Sequence, residues 1–179
     1  MRPTSYPAVS ATPRPVPNVV LGLISGEAHE PVHASQFFEH KRAFMIGIPG
    51  AYTPICADKH VPELVRDADR LRAAGFDMIG CIASNDPFVL QKWTREIDPQ
   101  GKICFLSDGN LEFAAALGLL QTEESLFLGT RSERYALTIE GGFIKRLKVE
   151  ASIFDVKCTS PSRESGNAGQ DSPADVELI

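Results

Sequence analysis

The stretch IPGAYTPICADKH, residues 48–60, follows an apolar run (AFMIGI, 43–48) and precedes a long amphipathic segment. The apolar run reads as a strand buried on both faces. Beyond the stretch, Val61, Leu64, Ala68 and Leu71 fall at helical spacing, and Gly75 is a stop. A strand that feeds a helix through a Gly- and Pro-rich loop is the unit of an α/β layer fold. Pro62 lies inside the expected helix and is expected to kink it.

Two more units follow. FDMIGCIAS (76–84) reads as a strand, and PFVLQKWTREI (87–97) as a helix with Pro at its first position and Asp86 as cap. KICFLSD (102–108) is a third buried strand, followed by the helix LEFAAALGL (111–119). VVLGLIS (19–25) reads as an earlier strand, and SQFFEHK (35–41) as a short helix or turn. RYALTIEGGFIKRLKVE (134–150) is a hairpin whose two glycines supply the positive φ its turn needs. The expected fold is α/β: a mixed central β-sheet flanked by helices in three layers, in one domain over residues 19–158. Residues 1–18 carry five prolines and no acid, and read as a flexible arm. Residues 159–179 read as a Ser/Gly-rich tail whose last eight residues have the pattern of a short helix.

The 179 residues carry a formal net charge of -5, which argues against nucleic acid or an anionic membrane as main partner. No apolar run is long enough to span a bilayer, and the N-terminal stretch has no apolar centre of a secretory signal. Its proline content also speaks against the amphipathic helix of a transit peptide, although organellar targeting stays open. Cys56, Cys81, Cys104 and Cys158 lie far apart with no CxxC among them, which suits reduced thiols in a cytoplasmic setting. Cys56 with His60 is too small a set to hold a metal, so no metal and no cofactor are expected.

Cys56 sits where a strand's C-terminal end meets a helix N-terminus, the edge where ligands gather in open α/β sheets. First-turn N–H groups and the helix dipole favour a thiolate there, and the thiolate is the nucleophilic form. Pro49 and Pro54 stiffen the loop, Gly50 lets backbone pass closely, and Thr53 can bring its hydroxyl back over the sulfur. Taken alone, Cys56 reads also as a buried structural thiol.

The segment PGAYTPIC resembles the peroxidatic motif of peroxiredoxins, Pro-x-x-x-Thr/Ser-x-x-Cys, with Pro49, Thr53 and Cys56 at its defined positions. The longer run PGAYTPICADKHVPEL, together with CIASNDPFVLQKW (81–93) and GTRSERYAL (129–137), is similar to the type II, or atypical two-cysteine, subfamily. That resemblance implies a thioredoxin-like fold and thiol-dependent reduction of hydrogen peroxide and organic hydroperoxides. It makes Cys56 the nucleophile and Arg134, just before Tyr135, the guanidinium that holds thiolate and peroxide together. It also implies a homodimer formed through the active-site face, and thioredoxin, glutaredoxin or glutathione as reductant. Cys81 and Cys158 match positions at which members of the subfamily place a resolving cysteine; each also has a structural reading, and a one-cysteine mechanism is the third possibility. Cys104, mid-strand, reads as core. Two readings of His60 stay open: a pocket residue that tunes the thiol, or a helix residue bonded to a loop carbonyl. Arg131 reads as a solvated strand-end charge, and Tyr52 as a replacement for the family's commoner Phe at the site rim. A redox-sensing protein that signals through oxidation of Cys56 is the alternative function.

Overall fold

The computed structural model describes residues 13–162 and the backbone of Val176–Glu177. Its centre is three parallel strands, β4 (Arg42–Ile48), β5 (Met78–Ala83) and β6 (Cys104–Ser107). They are joined by α2 (Val61–Ala73) and α3 (Pro87–Ile97). Antiparallel strands extend both sides: β9 (Tyr135–Glu140) and β10 (Phe143–Val149) beyond β4, and β2 (Val20–Ser25) and β3 (Ala28–His33) beyond β6. The sheet is mixed, as expected, and the two-residue turn of the β9–β10 hairpin has φ of 57° at Gly141 and 80° at Gly142.

Alternation along β4 divides the core. Phe44, Ile46 and Ile48 face one layer, where Leu64, Ala68 and Leu71 of α2 and Leu90 and Trp93 of α3 cover them. Ala43 and Met45 face the other, with α1 (Ala34–Phe37) and α4 (Glu112–Leu117), through Ala34, Phe113 and Leu117. The Asp86 cap is present: its carboxylate accepts from the Phe88 and Val89 N–H groups, each at 3.0 Å. Asp86→Ala removes both bonds and is expected to cost about 1 kcal/mol of stability, measured by urea unfolding.

Several expectations need correction. Pro62 does not kink the middle of α2; it is that helix's second residue. The preceding turn, Cys56–His60, is π-helical, and the Val61 N–H donates to Cys56 O, five residues back. The wide turn accommodates a residue that has no N–H and whose ring would press on the carbonyl four positions earlier. The proline-rich arm is not free up to residue 18: β1 (Arg14–Pro15) pairs with β10, and Val16 is buried in the core. Residues 1–12 lie outside the described residues.

The tail also begins later than expected. Thr159 and Pro161 are buried, and Pro161 O accepts from Arg70. Within the last eight residues, where a short helix was expected, Val176–Glu177 form a strand (β11) on β10, while their neighbours lie outside the described residues. A small polar sheet, β7 (Leu120–Glu123) with β8 (Gly129–Ser132), was not expected at all. Among the described residues no helix is long and apolar enough to cross a membrane.

Candidate active site

The end of β4, the π turn and the loop just before β9 converge on Cys56, which is fully buried. Arg134, also buried, donates from Nη2 to Cys56 Sγ at 3.3 Å. The same guanidinium is fixed on its other edges: Nε and Nη2 donate to Ile153 O at 3.1 and 2.7 Å, and Nη1 meets His60 Nδ1 at 2.9 Å. A charged planar donor held on several sides cannot swing away from the sulfur, and its bond to a thiolate is charge-assisted.

Thr53 Oγ1 donates to Gly50 O at 2.8 Å. Its proton is spent within the loop, so its oxygen is left free to accept a hydrogen bond. Pro49, Thr53, Ile55, Leu128, Arg134 and Phe154 line a pocket of about 200 Å³, and Arg134 links its wall to the sulfur. Its walls are apolar apart from Thr53 and Arg134, and such walls strengthen every charge interaction inside.

The loop is tied down from behind by residues that the sequence reading passed over. Asn85 Oδ1 accepts from the Ala51 N–H at 2.7 Å, and Ser132 Oγ donates to Ile48 O at 3.2 Å. Arg131, expected to be a solvated charge, is half-buried and donates to Leu128 O at 2.9 Å, Ser84 O at 2.8 Å and Pro49 O at 3.4 Å. It sits among carbonyls at a junction of three segments, a place that strand periodicity cannot reveal. Arg131→Ala is expected to lower the peroxide reaction rate of Cys56 about tenfold by loosening Pro49, with a smaller change in thermal stability. Stopped-flow oxidation and a thermal melt on the same sample check both.

The neighbouring thiols are not exposed. Cys81 is fully buried on β5, and burial, then the nearby Cys56, push its pKa well up. Cys104 is half-buried and raised to about 12 by burial. Cys158 is buried, its thiol directed to Val149 O at 3.5 Å. Burial and then the Glu150 charge raise its pKa to about 12. The cause of that placement is Glu150, whose Oε1 accepts from Lys157 N–H at 2.6 Å, Thr159 N–H at 2.8 Å and the Thr159 hydroxyl at 2.8 Å. Burial raises the Glu150 carboxyl, but these bonds outweigh it and leave its pKa below the ordinary value. Among the described residues, no group of three or more His, Cys, Asp or Glu side chains is placed to hold a metal ion.

His60 is fully buried, with Nε2 at 3.2 Å from Thr159 O. Burial, then the Arg134 charge, lower its pKa to about 3. The imidazole is therefore neutral and cannot tune the thiol as a cation. Arg134, Lys59 and Glu150 are the charges that face it. Between pH 6.5 and 3 the unfolded chain binds the proton that the folded His60 refuses, so stability falls as pH drops through that window. His60→Asn is expected to flatten the loss, so its stability relative to wild type rises on acidification, as read by urea titrations at pH 7, 5.5 and 4.5.

A family model described as Redoxin matches residues 11–160. Peroxiredoxin-2E, chloroplastic, of Arabidopsis thaliana is 40% identical over 121 residues, 66% of this chain and 52% of that protein. Peroxiredoxin-2F, mitochondrial, of the same plant is 35% identical over 125 residues, 70% of this chain and 62% of that protein. The chain thus spans between half and two thirds of the length of these curated relatives. The crystal structure of reduced Prx3 from Vibrio vulnificus in complex with H2O2 superposes with a TM-score of 0.78 at 32% identity, over 83% of this chain and 92% of that one. The matched family model, the sequence identities and the superposition place the chain in the redoxin family, as a peroxiredoxin of the type II kind.

Proposed function

We propose that the chain is a thiol peroxidase in which Cys56 reduces hydrogen peroxide and organic hydroperoxides. The observation that carries this is the Arg134 guanidinium 3.3 Å from Cys56 Sγ at the wall of an apolar pocket. The thiolate attacks the nearer peroxide oxygen, an S–O bond forms and the O–O bond breaks. The departing alkoxide or hydroxide takes a proton and leaves as alcohol or water. Arg134 is placed to share its N–H groups between sulfur and peroxide as negative charge moves along that line. Thr53 Oγ1 accepts a hydrogen bond from the peroxide O–H and orients the molecule, while the proton for the departing oxygen comes from solvent. Cys56 ends as a sulfenic acid, two electrons more oxidised.

For regeneration we propose an external thiol: it displaces water from the sulfenic acid to give a mixed disulfide, and a second thiol releases Cys56 and leaves as the disulfide. Thioredoxin, glutaredoxin and glutathione each supply such thiols. Cys81 and Cys158 are poorly suited to resolve the sulfenic acid, being buried and held as neutral thiols in this conformation. Four free thiols suit a reducing compartment, cytoplasm or organelle interior. Leu126 and Phe154 line the pocket and are exposed, as are Phe127, which follows Leu126, and Tyr52, which precedes Thr53; we propose that a second copy of the chain covers them.

One equivalent of hydrogen peroxide is expected to add a single oxygen at Cys56, trapped as a sulfenic-acid adduct and located by peptide mass spectrometry. Absence of that adduct in folded protein would sink the proposal. Cys81→Ser and Cys158→Ser are expected to retain turnover with each reductant; selective loss with thioredoxin would name that cysteine as resolver. Sedimentation is expected to show a dimer that Phe127→Asp dissociates.

A further inference from the structure

Arg134 must offer one edge to the sulfur, so something has to hold the opposite edge without quenching its charge. A carboxylate there would neutralise it, and a cation would repel it. The group that stands there is His60, whose Nδ1 is 2.9 Å from Arg134 Nη1. Its ring is fully buried, with Nε2 against the Thr159 carbonyl. A carbonyl only accepts, so Nε2 carries the proton and Nδ1 keeps a lone pair, which accepts from Arg134. Protonation would turn Nδ1 into a second donor facing Nη1; burial and the adjacent guanidinium suppress it.

The tautomer is itself held in place. Thr159 is clasped by Glu150 through its N–H and its hydroxyl, both at 2.8 Å. One chain of contacts therefore runs from Glu150 through Thr159, His60 and Arg134 to Cys56. We propose that His60 is a positioning residue: a neutral acceptor that aims Arg134 at the Cys56 sulfur, its tautomer set by the Thr159 carbonyl. The proposal deepens the peroxidase reading of Cys56 and rests on it for its catalytic consequence.

The test compares His60→Leu, which has no acceptor, with His60→Asn, whose side-chain oxygen can stand where Nδ1 stood. Two rates are read at Cys56: alkylation by iodoacetamide from pH 5 to 9, and oxidation by hydrogen peroxide. His60→Leu is expected to slow alkylation about tenfold at pH 7 and move its pH profile upward, because an untethered guanidinium favours the thiolate less. Peroxide oxidation is expected to fall in parallel, and His60→Asn to recover most of both. A folded His60→Leu protein with an unchanged alkylation profile overturns the proposal. So does His60→Asn failing as badly as His60→Leu, which would make the role one of packing alone.

If His60→Leu gives no cooperative thermal melt, His60→Gln replaces it. Its longer side chain carries the polar group toward the Nε2 position, so the same loss is expected, and a wild-type profile overturns the proposal. A wild-type protein that alkylates normally yet forms no sulfenic acid with peroxide sinks the peroxidase reading instead, and leaves the alkylation contrast as the test of His60.

Discussion

Cys56→Ser is expected to abolish peroxide turnover with every reductant, and Arg134→Gln to lower the rate of Cys56 oxidation by about 10²–10³-fold. The serine substitution leaves an alcohol where a polarisable thiolate must attack, and no other thiol in the chain can take its place: Cys81 and Cys158 are buried and held neutral, and Cys104 lies on β6. The arginine effect follows from geometry. Glutamine keeps a polar head but loses the charge and the rigid fork that reaches Cys56 Sγ, Ile153 O and His60 Nδ1 together. Lysine keeps the charge but cannot span those partners, and is expected to recover no more than about tenfold. Single-turnover oxidation followed by stopped flow separates the loss from any effect on regeneration. An Arg134→Gln rate within a factor of a few of wild type would show that the guanidinium does not act on the transition state.

Gly47→Ala is expected to cost about 4 kcal/mol or more, a large part of the stability of a domain this size. An added Cβ would lie 2.0 Å from Cε1 and Cζ of Tyr135, and 2.4 Å from Cε2. Neither side can yield. β4 is hydrogen-bonded on both edges, by β5 and β9, and Gly47 stands directly opposite Tyr135 in the register. The Tyr135 ring is itself completely buried. Because Arg134 immediately precedes Tyr135, a displaced ring also moves the guanidinium, so residual activity falls further than stability alone explains. Urea unfolding of Gly47→Ala and of the double variant with Tyr135→Leu checks the cause: the smaller side chain recovers much of the loss if the clash is responsible.

What could be read from the chain is what short-range physics writes into it. The strand–helix alternation, the Asp86 cap and the Gly141–Gly142 turn each depend on a few adjacent residues, and each is found. Hairpin β2–β3 escaped because AHEPVH has no alternating apolar face; its strand is nearly all exposed, and Gly26, with φ of 59°, was the only local signal of a turn. The sheet of β7 and β8 is similarly polar.

Around the site, Cys56, Thr53 and Arg134 come together from separate parts of the sequence, with the Thr53 hydroxyl donating to Gly50 O within the loop. The role of Arg131 was hidden for a different reason, and for His60 the bond to a loop carbonyl was foreseen but not which carbonyl, nor the contact with Arg134. Both are decided by carbonyls of distant segments, Ser84 and Thr159, which no spacing along the chain announces. Cys158 shows the same limit: FDVKCTS looks like the start of a loose tail until the Glu150 carboxylate, several residues upstream, gathers the segment's N–H groups.

Trp93, the only tryptophan in the chain, packs in the core with its ring centroid 6.2 Å from that of Tyr52, whose hydroxyl donates to Glu96 of α3. Tyr52 belongs to the loop that carries Pro49 and Thr53 and holds a left-handed φ of 59°. Any rearrangement of the loop as the sulfur changes oxidation state alters the surroundings of one indole and no other. The protein thus contains its own optical probe: intrinsic emission excited at the indole band reports loop movement in real time, without a dye, and lets oxidation and re-reduction be timed on the unmodified chain.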